Sequence, residues 1–119
     1  MEKFIINGGK KLKGTIEVKG AKNAALKLFA AALLTKKMVR LSNVPEVEDI
    51  IRMSELLKGL GANVKHSGYG KYEIVANKIT EEIINPDIAK KLRASIVLTG
   101  PLLARTGRVV FPHPGGCVI

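Results

Sequence analysis

The stretch Gly20-Ala21-Lys22-Asn23-Ala24-Ala25-Leu26-Lys27-Leu28-Phe29-Ala30-Ala31-Ala32-Leu33-Leu34 decides how this chain is read. After Gly20 it holds no glycine or proline, and its alanines and leucines are strong helix formers. It predicts a helix ending at about Leu34. The run is apolar almost all round, so most faces of that helix are expected to be buried. Its first residues carry chemistry as well. A helix N-terminus has free N–H groups and partial positive charge, which suit a phosphate. Lys22 adds a full charge there and Asn23 adds two donors. Taken alone, the two residues read first as a surface lysine and a helix cap.

Outward from this helix, residues 3–6 (KFII) and 14–18 (GTIEV) read as short strands around a Gly- and Lys-rich turn, Asn7 to Lys13. Residues 38–42 (MVRLS) alternate like a half-buried strand. A second helix is expected from near Pro45 to Gly59 or Leu60, capped by Ser42 or Asn43. Pro45 suits its first turn, and Glu46, Glu48 and Asp49 suit its positive end. Val47, Ile50, Ile51, Leu56, Leu57 and Leu60 form its expected core stripe, and Gly61 its stop. Ala62 to His66 and Lys71 to Ala76 read as a hairpin across Ser67-Gly68-Tyr69-Gly70. Pro86-Asp87 opens a third helix over about 87–105, which Gly100-Pro101 should kink or interrupt. A strand at 108–111 (RVVF) then leads into the loop Pro112-His113-Pro114-Gly115-Gly116-Cys117.

The elements run β-α-β-α-β-β, then α-β-loop, and the second series echoes the first at an offset of about 71 residues, Lys22 to Arg93. The segment LLTKKMV at 33–39 falls on ARTGRVV at 104–110. Arg93 then becomes a second cation at an equivalent helix start, able to grip phosphate or carboxylate with two prongs, or else a solvent ion pair. A unit and a half of such a repeat would leave sheet edges and helix faces uncovered, so the chain is expected to be a fragment or to need a partner.

Composition narrows the partners. Apolar residues make up 46% and aromatics 4%, with no Trp, so the core must be aliphatic. Net charge is +10, which favours an anionic partner. The basic residues are scattered singly or in pairs, such as Lys36 and Lys37, without a polybasic run, and few rings are available to stack on bases. Small anions therefore rank above nucleic acid. A single Cys rules out an internal disulfide and fits a reducing cytoplasm. The start Met1-Glu2-Lys3-Phe4 has no signal core, and no apolar run of spanning length occurs.

Two glycines and two prolines around Cys117 argue for an exposed loop rather than a buried small hydrophobe. Gly115 and Gly116 let backbone N–H groups approach an anion. A Cys117/His113 catalytic pair is a poor fit, because the prolines stiffen the four-residue spacing. His113 reads by default as a loop residue bonded to backbone or water. His66, His113 and Cys117 offer no metal-ligand spacing, and no phosphate-loop or dinucleotide fingerprint is present.

GAKNAALKLFAAALL at 20–34 resembles the start of the UDP-N-acetylglucosamine 1-carboxyvinyltransferases. So do NVPEVEDI at 43–50, LLKGLGANV at 56–64, RASIVLTGPLLAR at 93–105 and PGGCVI at 114–119. The resemblance implies an α/β (α+β) fold, the enolpyruvyl transferase fold, built from βαβαββ repeats with buried helices. Here it would comprise one complete repeat at about 22–80 and a partial one at about 86–119. Residues 1–21 would add strands to a C-terminal domain that lies outside this chain, and 22–119 would be part of the first domain.

The same resemblance implies enolpyruvyl transfer from phosphoenolpyruvate to the 3′-hydroxyl of UDP-N-acetylglucosamine, by addition and elimination, as the first committed step of peptidoglycan synthesis. It implies no metal or other cofactor, no nucleic acid and no membrane. By matching motif, Lys22 and Asn23 would bind phosphoenolpyruvate and Arg93 the nucleotide-sugar side. Cys117 would be the general acid at the methylene carbon and the target of fosfomycin; some members carry Asp there, which fits an acid. The basic segment after the Cys loop would also be needed, so the 119-residue piece is expected to be inactive alone. The alternatives are a 3-phosphoshikimate-type transferase, which typically lacks this Cys loop, a basic nucleic-acid-binding module, and a non-catalytic relative.

Overall fold

A computed structural model describes residues 2–113 and residue 115. Helix α1 (Lys22–Ala31) continues into a 3-10 turn at Ala32–Leu34, so the opening stretch is helical throughout. Strand β1 (Val39–Leu41) follows, then helix α2 (Glu48–Gly59) and the hairpin of β2 (Asn63–His66) and β3 (Tyr72–Val75). The short helix α3 (Pro86–Ala89), a 3-10 segment (Arg93–Leu98) and helix α4 (Thr99–Thr106) complete the order.

The three strands form one antiparallel sheet in the order β1-β3-β2. Ile74 on the central strand faces Val39 on one side and Val64 on the other. The helices cover this face. Phe29, Leu33, Ile50, Met53, Leu57, Ile74 and Leu98 are all fully buried, and Phe29 meets Tyr72 edge-on with centroids 5.0 Å apart. Apart from these two rings the buried core residues are mainly aliphatic, as the composition leads one to expect.

Helix α2 ends as its sequence dictates. Gly61 takes φ +98, its N–H donates to the Lys58 carbonyl, and Ala62 N–H donates to Leu57 at 3.0 Å. That is the paired bonding of a Schellman stop. Its start differs from expectation. Asn43 adopts φ 56 rather than capping, Val44 N–H donates to the Gly70 carbonyl, and the helix begins only at Glu48. Residues 43–47 dock the helix onto the hairpin turn, so Pro45 precedes the first turn. Val47 and Ile51 point outward, while Met53 and Ser54 are buried. Helix α1 is buried on one side only among the described residues: Ala25, Leu26, Phe29 and Ala30 face the core, but Leu28 is half exposed.

The third helix is not continuous. Asn85 caps α3, accepting from Asp87 N–H at 2.9 Å, with Pro86 at its first position. The break falls at Lys90–Leu92, not at Gly100-Pro101. In an unbroken helix the Ala89 carbonyl would accept from Arg93 N–H. Here it accepts from Leu92 N–H at 3.2 Å, Gly115 N–H at 3.3 Å and Ser95 Oγ at 3.5 Å, and the extended Leu92 drops into the core. Pro101 lies in the first turn of α4, where its missing N–H costs little.

The expected strand at 108–111 reduces to one parallel bridge between Val110 and Ile83. The expected strands at 3–6 and 14–18 do not form among the described residues. Phe4, Ile6, Leu12, Ile16 and Val18 are exposed, because a strand needs a paired neighbour and none of the described residues supplies one. The second helical stretch opens at Arg93 and its bridge falls at Val110, standing to Lys22 and Val39 at the same spacing read from the sequence.

Candidate functional site

Three helix starts meet at one cleft. Lys22 and Asn23 open α1, Arg93 opens the 3-10 segment, and Asp49 lies in the first turn of α2. With Leu26, Lys91 and Ile96 among its other lining residues, they enclose about 380 Å³. Glycine lets the starts of α1 and α2 approach. A Cβ on Gly20 would overlap the Asn43 carbonyl, so the residues before α1 cross directly against the loop that leads into α2. Asn43 holds the left-handed turn that this crossing requires.

The N-cap of α1 is Ala21, and no side chain bonds to the first-turn amides. Asn23 is thus inside the helix rather than capping it, and its amide is offered to the cleft wall. Lys22 Nζ lies 2.7 Å from Asp49 Oδ2, with the two side chains 49% and 35% exposed, so the pair faces the opening rather than the core. Among the described residues, no acidic side chain pairs with Arg93 or Lys91. Three cations against one carboxylate leave the cleft positive, and free amides at the start of α1 add to that field. The charge and free amides of such a surface suit a phosphate or carboxylate.

The sequence-derived residues Lys22, Asn23 and Arg93 are therefore neighbours in space. Cys117 lies outside the described residues. Gly115, two positions before it, packs against the Lys90 backbone; a Cβ there would overlap the Lys90 carbonyl. Asp49 and Lys91 were not singled out as site residues from the sequence. Asp49 read only as an acidic residue at a helix start, and nothing local to it announces the lysine 27 positions earlier. Among the described residues, no group of three or more His, Cys, Asp or Glu is placed to hold a metal, and no helix is long and apolar enough to cross a membrane.

Comparison with known proteins gives a consistent pattern. The family model described as EPSP synthase (3-phosphoshikimate 1-carboxyvinyltransferase) matches residues 6–119. UDP-N-acetylglucosamine 1-carboxyvinyltransferase 2 of Carboxydothermus hydrogenoformans is 49% identical over 119 residues, all of this chain and 28% of that protein. UDP-N-acetylglucosamine 1-carboxyvinyltransferase of Treponema denticola is 43% identical over the same length, again 28% of that protein. The chain thus spans a little over a quarter of these relatives. The crystal structure of the enolpyruvyl transferase NikO from Streptomyces tendae superposes with a TM-score of 0.76 over 84% of this chain and 23% of that one, at 24% identity, a likeness of fold.

Proposed function

The chain belongs to the EPSP synthase family, and from that premise we propose that it forms the N-terminal portion of a UDP-N-acetylglucosamine 1-carboxyvinyltransferase. The observation that carries this reading is the convergence of Lys22, Asn23 and Arg93 on one positive cleft. The substrates are phosphoenolpyruvate and UDP-N-acetylglucosamine, both anions, and the reaction is the step that commits the nucleotide sugar to peptidoglycan in the cytoplasm.

The nucleotide sugar's 3′-hydroxyl gives its proton to an acidic residue from the rest of the protein as its oxygen bonds to C2 of phosphoenolpyruvate, and the C2=C3 electron pair takes a proton at C3, giving a tetrahedral adduct. C3 then returns a proton, the double bond re-forms and the C2–O bond to phosphate breaks. Lys22 binds the phosphate and stabilises the charge gathering on it as it leaves. Asn23 donates hydrogen bonds to the same substrate. Arg93 faces the nucleotide-sugar side. Cys117 is the acid that protonates C3 and the site that fosfomycin alkylates; the packing of Gly115 against Lys90 beside the cleft supports that role. The segment 1–21, of which residues 2–19 are exposed throughout, pairs with a sheet from the rest of the protein.

The test is phosphate release by the full-length protein with phosphoenolpyruvate and each acceptor. Turnover with UDP-N-acetylglucosamine and none with shikimate 3-phosphate is expected, and the reverse result overturns the assignment. Fosfomycin should add to Cys117, read by intact mass, when the nucleotide sugar is present.

A further inference from the structure

Asp49 stands in the cleft with no part in the chemistry above. Its Oδ2 touches Lys22 Nζ at 2.7 Å, and both line the cleft that holds Asn23 and Arg93. The carboxylate lies in the first turn of α2, where free N–H groups favour its negative charge. An ion pair this exposed adds little to stability. What it supplies is direction. A lysine side chain is flexible and its ammonium carries three donors. Asp49 takes one and leaves two for an anion in the cleft. Lys22 is the cleft cation that has a carboxylate partner among the described residues.

We infer that Asp49 is a positioning residue for enolpyruvyl transfer: it aims the Lys22 ammonium at the phosphate that leaves. This role rests on the transferase reading above. Two effects of the carboxylate oppose each other. It repels an incoming phosphate, and it aligns the group that meets that phosphate. Repulsion acts in the bound substrate and the transition state alike, whereas alignment counts most where negative charge develops. Removing the charge should therefore spare binding and slow chemistry.

The test uses initial rates of the full-length protein with phosphoenolpyruvate and UDP-N-acetylglucosamine for the parent, Asp49→Asn, Asp49→Glu, Lys22→Ala and the Lys22→Ala/Asp49→Asn double variant. Asp49→Asn is expected to lower kcat by about tenfold to a hundredfold, the loss a small misplacement produces. KM for phosphoenolpyruvate should hold or fall, and KM for the nucleotide sugar should not change. Asp49→Glu should restore part of the rate. The double variant should be no slower than Lys22→Ala alone, since an aim without a lysine is worth nothing. A kcat for Asp49→Asn within twofold of the parent overturns the role, and so do losses that multiply in the double variant. An inactive parent overturns the transferase reading, and this role with it.

Discussion

Replacing Arg105 by alanine tests how the second helical stretch is fastened to the first. Near the end of α4, Arg105 reaches 72 residues back, where Nη1 donates to the Leu33 carbonyl at the end of the α1 turn. Nη2 donates to the Ala76 carbonyl at 3.0 Å and to Asn77 at 3.4 Å, just past β3. Leu33 and Ala76 are fully buried. Alanine would leave their carbonyls short of a partner, and a hydrogen bond to a charged group is worth about 1.5–3 kcal/mol. The third contact is long and wet, and water can reach part of the gap. The expected loss is about 2–4 kcal/mol for the two close bonds together. Lysine keeps the charge but not the fork, so Arg105→Lys should lose about half as much. Equilibrium urea unfolding of the parent and both variants reads this directly, with an unchanged slope showing that the unfolded state is unaltered. An Arg105→Ala protein within about 0.5 kcal/mol of the parent would refute the reasoning, since that is the scatter of ordinary surface substitutions.

Gly20→Ala should force the start of α1 away from the Asn43 carbonyl, weakening inorganic phosphate binding in titration calorimetry and costing about 1–3 kcal/mol in the same urea assay. Asn85→Ala removes the cap that accepts from Asp87 and Ile88, with an expected loss of about 1 kcal/mol by urea unfolding. Tyr72 has its pKa raised above 10.0, by burial first and by the Glu46 charge second. The neutral phenol is thus favoured in the folded state, and its contribution is complete below pH 10.0 and lost as pH rises through the raised value. Tyr72→Phe should flatten that part of the alkaline fall when unfolding free energy is followed from pH 8 to 12; an unchanged fall would count against the assignment.

What could be read from the sequence was what is locally determined. The α1 stretch is set by alanine and leucine propensity, the hairpin by Gly68 and Gly70, and the end of α2 by Gly61, each within a few residues. The misreadings share the opposite cause. At the break over Lys90–Leu92 the Ala89 carbonyl is met by an amide from Gly115, and no window on the α3 sequence contains that residue. Gly100-Pro101 looked like a breaker because the true helix start at Thr99, which makes Pro101 harmless, was hidden by that earlier break. Pro45 looked like a first-turn proline because the docking of Val44 on Gly70 is a contact 26 residues apart. At the site, Lys22 and Asn23 stood out because they open a helix after Gly20 within a family-like motif, and Arg93 because the offset between two similar segments makes it the equivalent of Lys22. Asp49 did not, because its meaning comes from a lysine on another helix.

The cleft also links ligand to fold. Lys22, Asp49 and Arg93 come from three separate helix starts, so the charges that define the cleft assemble only once those helices have docked. An anion bridging them would bind the native chain and find no equivalent in the unfolded one. At a hundred times its dissociation constant such a ligand adds about 2.7 kcal/mol to the unfolding free energy. The concentration of such an anion would then tune the stability of the folded chain as well as the occupancy of the cleft.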